Sequence, residues 1–132
     1  IAAYLRETRM ETKVVSGRVG DSELWEDESF AVRLQPPGGA AFRFMVTADG
    51  VRLDGRDGDV GWDAHWEAVV KDYPGGWAAE MALPYAALGA SPRPGETWAA
   101  DFVRYRRNVT DEISSWTGSR PSDPMSGAVA FE

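Results

Sequence analysis

Apolar and polar residues alternate with a period of two along most of this chain, the spacing of strands with one buried face. In "SFAVRLQ", Phe30, Val32 and Leu34 share one face, while Ser29, Ala31, Arg33 and Gln35 share the other. In "AFRFMVTA", Phe42, Phe44 and Val46 oppose Arg43, Met45 and Thr47. Between these runs stands "PPGG" at 36–39, which is turn chemistry, so the two read as an antiparallel pair joined by a short loop. "ADG" at 48–50 is a second turn and leads into a short "VRLD" strand. Further on, "AHWEAVVKDY" alternates, "PGG" turns, and "GWAAEMALP" returns with Trp77, Ala79, Met81 and Leu83 on its apolar face. Pro84 ends that strand, and "YAALG" reads as one helical turn with a glycine stop. "TWAADFVRYRRN" is the longest strand candidate, and "GAVAFE" closes the chain. No amphipathic helix of three turns is visible. Seven or eight short strands with regular turn signals predict an all-β fold: an antiparallel two-sheet β-sandwich of the jelly-roll or immunoglobulin-like kind.

With 132 residues, one domain over 1–132 is expected. The chain opens on "IAAYLRETRM", strand-like and without an initiator methionine, and reads as a fragment of a longer protein. No apolar run approaches the roughly 20 residues of a membrane span. The formal net charge of −7 argues against nucleic acid and anionic membranes, and leaves neutral ligands and cations open. There are no cysteines, which excludes disulfides, thiolate metal sites and cysteine nucleophiles.

Catalytic patterns are sparse. His65 is the sole histidine and no Gly-x-Ser-x-Gly elbow occurs. Among 21 acidic residues no carboxylate pair stands out as a glycosidase couple. Asp57, Asp59 and Asp63 in "DGDVGWD" read either as a solvated turn or as oxygen ligands for calcium. On the last long strand Trp98, Ala100 and Phe102 share a face, which Arg104 and Arg106 continue. Those arginines either leave the core and pair with acids, or line a cleft where their planar forks grip hydroxyls. Trp25 lies in acid-rich "LWEDES" and Trp116 among hydroxyls in "ISSWTGS". Each ring either caps the core or offers an indole face to the C–H face of a sugar.

Several segments together resemble the family 9 carbohydrate-binding modules. "GWAAEMALPYAALG" at 76–89 is similar to the family's Gly-Trp-x-x-Glu…Pro-(aromatic)-x-x-Leu-Gly pattern. "PGETWAADFVRYRRN" looks like its Pro-x-Gly-x-x-Trp strand with an arginine-rich tip, "SSWTG" like its Ser-x-Trp element, and "LWEDESFAVRLQP" like its Trp-x-Asp-Asp strand. The resemblance implies a secreted, extracellular or periplasmic sandwich without catalysis of its own, linked to neighbouring domains such as a glycoside hydrolase, often with structural calcium. Its ligand would be an oligo- or polysaccharide of glucan or xylan type. Carried over by position, Trp25 and Trp116 would sandwich a sugar, with Arg52 and Arg104 as polar contacts and Arg106 beside them. Where the family places a glutamate six residues past the first tryptophan, this chain has Ala31, and the resemblance implies that the module's first strands would precede "AAYLRETRM". Two alternatives follow: a structural periplasmic domain with a decayed sugar site, and a haem b-binding electron-transfer domain of related fold, for which His65 and the methionines are the available ligands.

Overall fold

The alternating runs become strands in the computed structural model, which describes residues 1–7, 10, 27–107 and 111–132. Among the described residues the order is β1 (Ala2–Arg6), β2 (Ser29–Gln35), β3 (Phe42–Thr47), β4 (Arg52–Arg56), β5 (Glu67–Tyr73), β6 (Gly76–Ala82), α1 (Tyr85–Leu88), β7 (Thr97–Arg106), β8 (Glu112–Ser115) and β9 (Gly127–Ala130). β1, β6 and β5, in that order, form a small antiparallel sheet. The large antiparallel sheet runs β4-β3-β2-β7-β8. β7 is long enough to hold two strands end to end on one side: β9 pairs with Thr97–Ala100 and β8 with Val103–Arg106.

The two sheets face each other across one apolar layer. Leu5, Trp77, Ala79 and Met81 of the small sheet meet Phe30, Val32, Leu34, Phe42, Phe44, Val46, Trp98 and Ala100 of the large one. These are the apolar halves of the alternating runs, so a β-sandwich follows from the pattern. Trp66 and Phe44 meet edge to face at 5.3 Å, as do Trp98 and Phe131 at 5.0 Å. α1 is a single turn closed by Gly89, whose φ of 60° is the left-handed stop that glycine adopts without strain.

Two features depart from the alternation. "EISS" forms β8, although its pattern is too short and polar to announce a strand. The outer face of the large sheet is also covered at its centre. Ala31, Met45, Leu53 and Val103 line up there in register and are fully buried, with Tyr105 beside them. Met45 therefore belongs to a second small core, not to a polar face.

Candidate functional site

Arg104 and Arg106 enter the structure as a lock between the sheets. Glu28, just before β2, has a fully buried side chain. Its Oε1 accepts from Arg104 Nη2 at 2.7 Å, from Arg104 Nε at 3.2 Å and from Trp77 Nε1 at 3.3 Å. Its Oε2 accepts from the Arg107 amide at 2.8 Å. Glu7, just after β1, is equally buried and takes both fork nitrogens of Arg106, Nε at 2.8 Å and Nη2 at 3.0 Å. Arg104 Nη1 adds a bond to the Arg6 carbonyl at 2.6 Å. Hydrogen bonding by Glu7 raises the Arg106 pKa further above its already high value. Of the two fates the sequence allows these arginines, the structure shows pairing with acids. Arg104 is held by buried Glu28, and Arg106 by buried Glu7 and, at 3.5 Å, by exposed Glu112.

Arg52 lies elsewhere. Its guanidinium sits 5.5 Å over the Trp66 ring and donates to the Trp66 carbonyl. It starts β4, at the opposite edge of the large sheet from β8, and four strand spacings amount to about 19 Å. Arg52 and Trp116 are not brought together. Trp25 lies outside the described residues.

Trp116 is 57% exposed and follows β8 directly. Its amide donates to the Phe102 carbonyl at 2.8 Å, and its ring rests on Phe102 with centroids 5.4 Å apart. The ring also meets Gly127, where an added Cβ would lie 2.7 Å from the indole and 2.6 Å from the Ala100 carbonyl. Glycine is thus required for β9 and the indole to approach so closely. Next to the ring, Gly118 N donates to the Ser115 carbonyl and Ser115 Oγ to the Ser119 carbonyl, which fixes a hydroxyl-rich turn. The result is one open aromatic face on a firm base.

The chain after Trp116 crosses the outer face of the large sheet. Arg33 Nη2 donates to the Asp123 carbonyl at 2.7 Å, and Asp101 accepts from the Thr117 amide. On either side of this crossing lies a groove. One, of about 670 Å³, runs over Tyr105, Ile113, Ser115 and Ser119; the other, of about 510 Å³, lies over Arg33 and Arg43. Burial raises the Tyr105 pKa, against the pull of nearby Arg43, Arg33 and Arg107. Arg33 and Asp101 were not singled out by the sequence, though an acid between Ala100 and Phe102 in an apolar strand was the available signal.

The aspartate-rich loop is a tight hairpin. Arg56 and Asp59 exchange backbone hydrogen bonds of 3.0 and 2.9 Å around Asp57-Gly58, whose φ values of 50° and 86° are those a type I′ turn requires. Asp57 Oδ1 accepts the Ala41 amide and Asp59 Oδ1 the Gly61 amide, while buried Asp54 holds the Ala64 amide. Asp57, Asp59 and Asp63 do not converge: among the described residues no group of three or more His, Asp or Glu is placed to hold a metal ion. Asp57 and Asp59 each use a carboxylate oxygen to accept a backbone amide of this region. His65 is exposed, Met81 lies in the core between the sheets, and Met45 sits on the opposite face of the large sheet.

No protein-family model matches the chain, and none of the curated proteins is significantly similar to it in sequence. Its fold is similar to that of a candidate carbohydrate-binding protein from Bacteroides uniformis, known from a crystal structure. The TM-score is 0.67, over 98% of this chain and 69% of that one, at 19% identity. At that identity the likeness is one of fold. Among the described residues no helix is long and apolar enough to cross a membrane.

One further tie stands at the start of β7. Glu96 Oε1 accepts the Trp98 indole N–H at 2.8 Å and Oε2 the Arg93 amide at 3.0 Å. The indole bond, then the amide, lowers the Glu96 pKa. A carboxyl depressed in the folded state adds stability above its unfolded pKa, which is lost as pH falls through the folded one. Wild type and Glu96→Gln are therefore expected to converge in urea midpoint as pH falls below 4 or so, the range of a free glutamate. A constant gap across pH would show that Glu96 acts without its charge.

Proposed function

We propose that this domain is a non-catalytic saccharide-binding module in which Trp116 is the stacking ring. The observation that carries this is the exposed indole, supported beneath by Phe102 and Gly127 and bordered by serine and threonine hydroxyls. A large apolar ring that keeps 57% of its surface in solvent gains little from burial, whereas it suits the C–H face of a pyranose. The likeness in fold to a candidate carbohydrate-binding protein supports the same reading. The family resemblance suggests glucan or xylan ligands, Trp25 as a second ring, and an exported parent protein with a linked catalytic or anchoring domain. Ala31 tempers the parallel, since it sits in an apolar row between Met45 and Val103 and offers no carboxylate to a sugar.

Isothermal titration with cellobiose and xylotriose tests this reading. Wild type is expected to bind, and Trp116→Ala to bind about 30-fold more weakly or not at all, as for a truncated hot-spot aromatic of ~2 kcal/mol or more. Far-UV circular dichroism should be unchanged, because the ring caps no core. Binding that survives the substitution would remove Trp116 from the site.

A further inference from the structure

The outer face of the large sheet sets two guanidinium groups side by side, with one carboxylate, Asp101, 3.9 Å from the first of them. Arg33 and Arg43 stand directly opposite each other in the β2–β3 register, a like-charge cross-strand pair that is unfavourable by itself. Across the next strand Arg33 faces Asp101. That carboxylate is already engaged: Oδ1 accepts from the Phe102 amide at 3.0 Å and the Thr117 amide at 3.3 Å, and Oδ2 from Ser119 Oγ at 3.4 Å. Arg33 Nη1 stays 3.9 Å from Asp101, and it is buried with no hydrogen-bond partner. Arg43 forms no hydrogen bond or ion pair with any other described residue. This guanidinium pair sits in a chain of formal net charge −7, where acids for neutralising it are plentiful. Arg43, half-buried and lining the groove above, is the open donor of the pair.

The space above the pair has the size of a ligand groove. It holds about 510 Å³, within the range of small-molecule sites, and Val60 and Met125 give it apolar flanks beside Ser122. A neutral polyol would bring no counter-charge to Arg43, whereas a carboxylate accepts its planar fork and cancels charge. Resting on the saccharide reading above, we infer that Arg33 and Arg43 bind the carboxylate of a uronic-acid unit, so that the module prefers acid-substituted saccharides. Val60 and Met125 then cover the ring's C–H face.

The experiment compares three ligands on the whole domain by titration: glucuronic-acid-substituted xylotriose, its methyl ester and plain xylotriose. The acid is expected to bind at least about tenfold tighter than ester or plain sugar, the gain of a charged over a neutral hydrogen-bond acceptor. That advantage should shrink between 50 and 500 mM salt by screening, and vanish in Arg43→Gln while plain xylotriose binding persists. Equal binding of acid and ester overturns the carboxylate assignment and leaves the saccharide reading standing. Displacement of the acid by inorganic phosphate at equal affinity also overturns it, as the groove would then take any oxyanion. Failure of all three ligands to bind removes both readings. Since the acid-ester comparison uses the wild type, the result does not depend on how the variant folds.

Discussion

Replacing Glu28 with alanine is expected to cost about 3–5 kcal/mol, measured as the change in urea unfolding free energy, because it breaks a buried charged network from its centre. The side chain is fully buried and accepts four hydrogen bonds from three residues. Its loss strands the Trp77 indole N–H, the Arg107 amide and much of the Arg104 guanidinium, and each buried donor without a partner costs about 1–3 kcal/mol. A domain of this kind has about 5–15 kcal/mol in all, so the variant should be close to unfolding at 37 °C. Glu28→Gln keeps an acceptor at one oxygen position, puts an amide donor at the other and loses the charge, and should fall between the two. A Glu28→Ala variant within about 0.5 kcal/mol of wild type would show that the arginines find other partners without strain.

The second large effect concerns Trp77, the biggest side chain with no exposure at all among the described residues. Trp77→Ala is expected to destabilise by about 3–5 kcal/mol through lost burial and the cavity left behind. Trp77 and Glu28 touch through one hydrogen bond of 3.3 Å, so the two substitutions share a partner. Their combined cost should therefore fall short of the sum, with a coupling of about 0.5–3 kcal/mol in a double-mutant cycle. Strict additivity would mean that the indole serves only as volume. A double variant too unstable to measure is avoided by running the cycle with Trp77→Phe and Glu28→Gln.

Much of the fold was legible in the sequence because its signals are local. The β2–β3 hairpin needs only the alternation of Phe30, Val32 and Leu34, the matching run at Phe42, and "PPGG" between them. The one-turn helix needs only Pro84 and Gly89. The fate of Arg104 and Arg106 was not legible. Their partners Glu28 and Glu7 lie 76 and 99 residues away in sequence, and no local pattern selects two acids among 21. Met45 illustrates the same limit from the apolar side, since alternation says which residues share a face but not that both faces of a sheet are covered. The Asp57-Gly58 hairpin signal was present, but the acceptor role of Asp57 depends on the Ala41 amide, sixteen residues upstream. For the candidate site, Trp116 was visible as an aromatic among hydroxyls. The seat that holds it, Phe102 and Gly127, was set by β8 and β9 meeting on one strand.

The order of strands in the small sheet has a consequence for synthesis. Among the described residues β1 pairs with one strand, β6, whose last residue is Ala82. At ribosomal rates of about 5–20 residues per second, the first strand waits roughly 4–15 seconds before its partner exists. β2 waits in the same way for β7, although β3 shields one of its edges sooner. A nascent chain of this topology is therefore a natural client for chaperones that cover strands, and its yield should respond to them more than its final stability does.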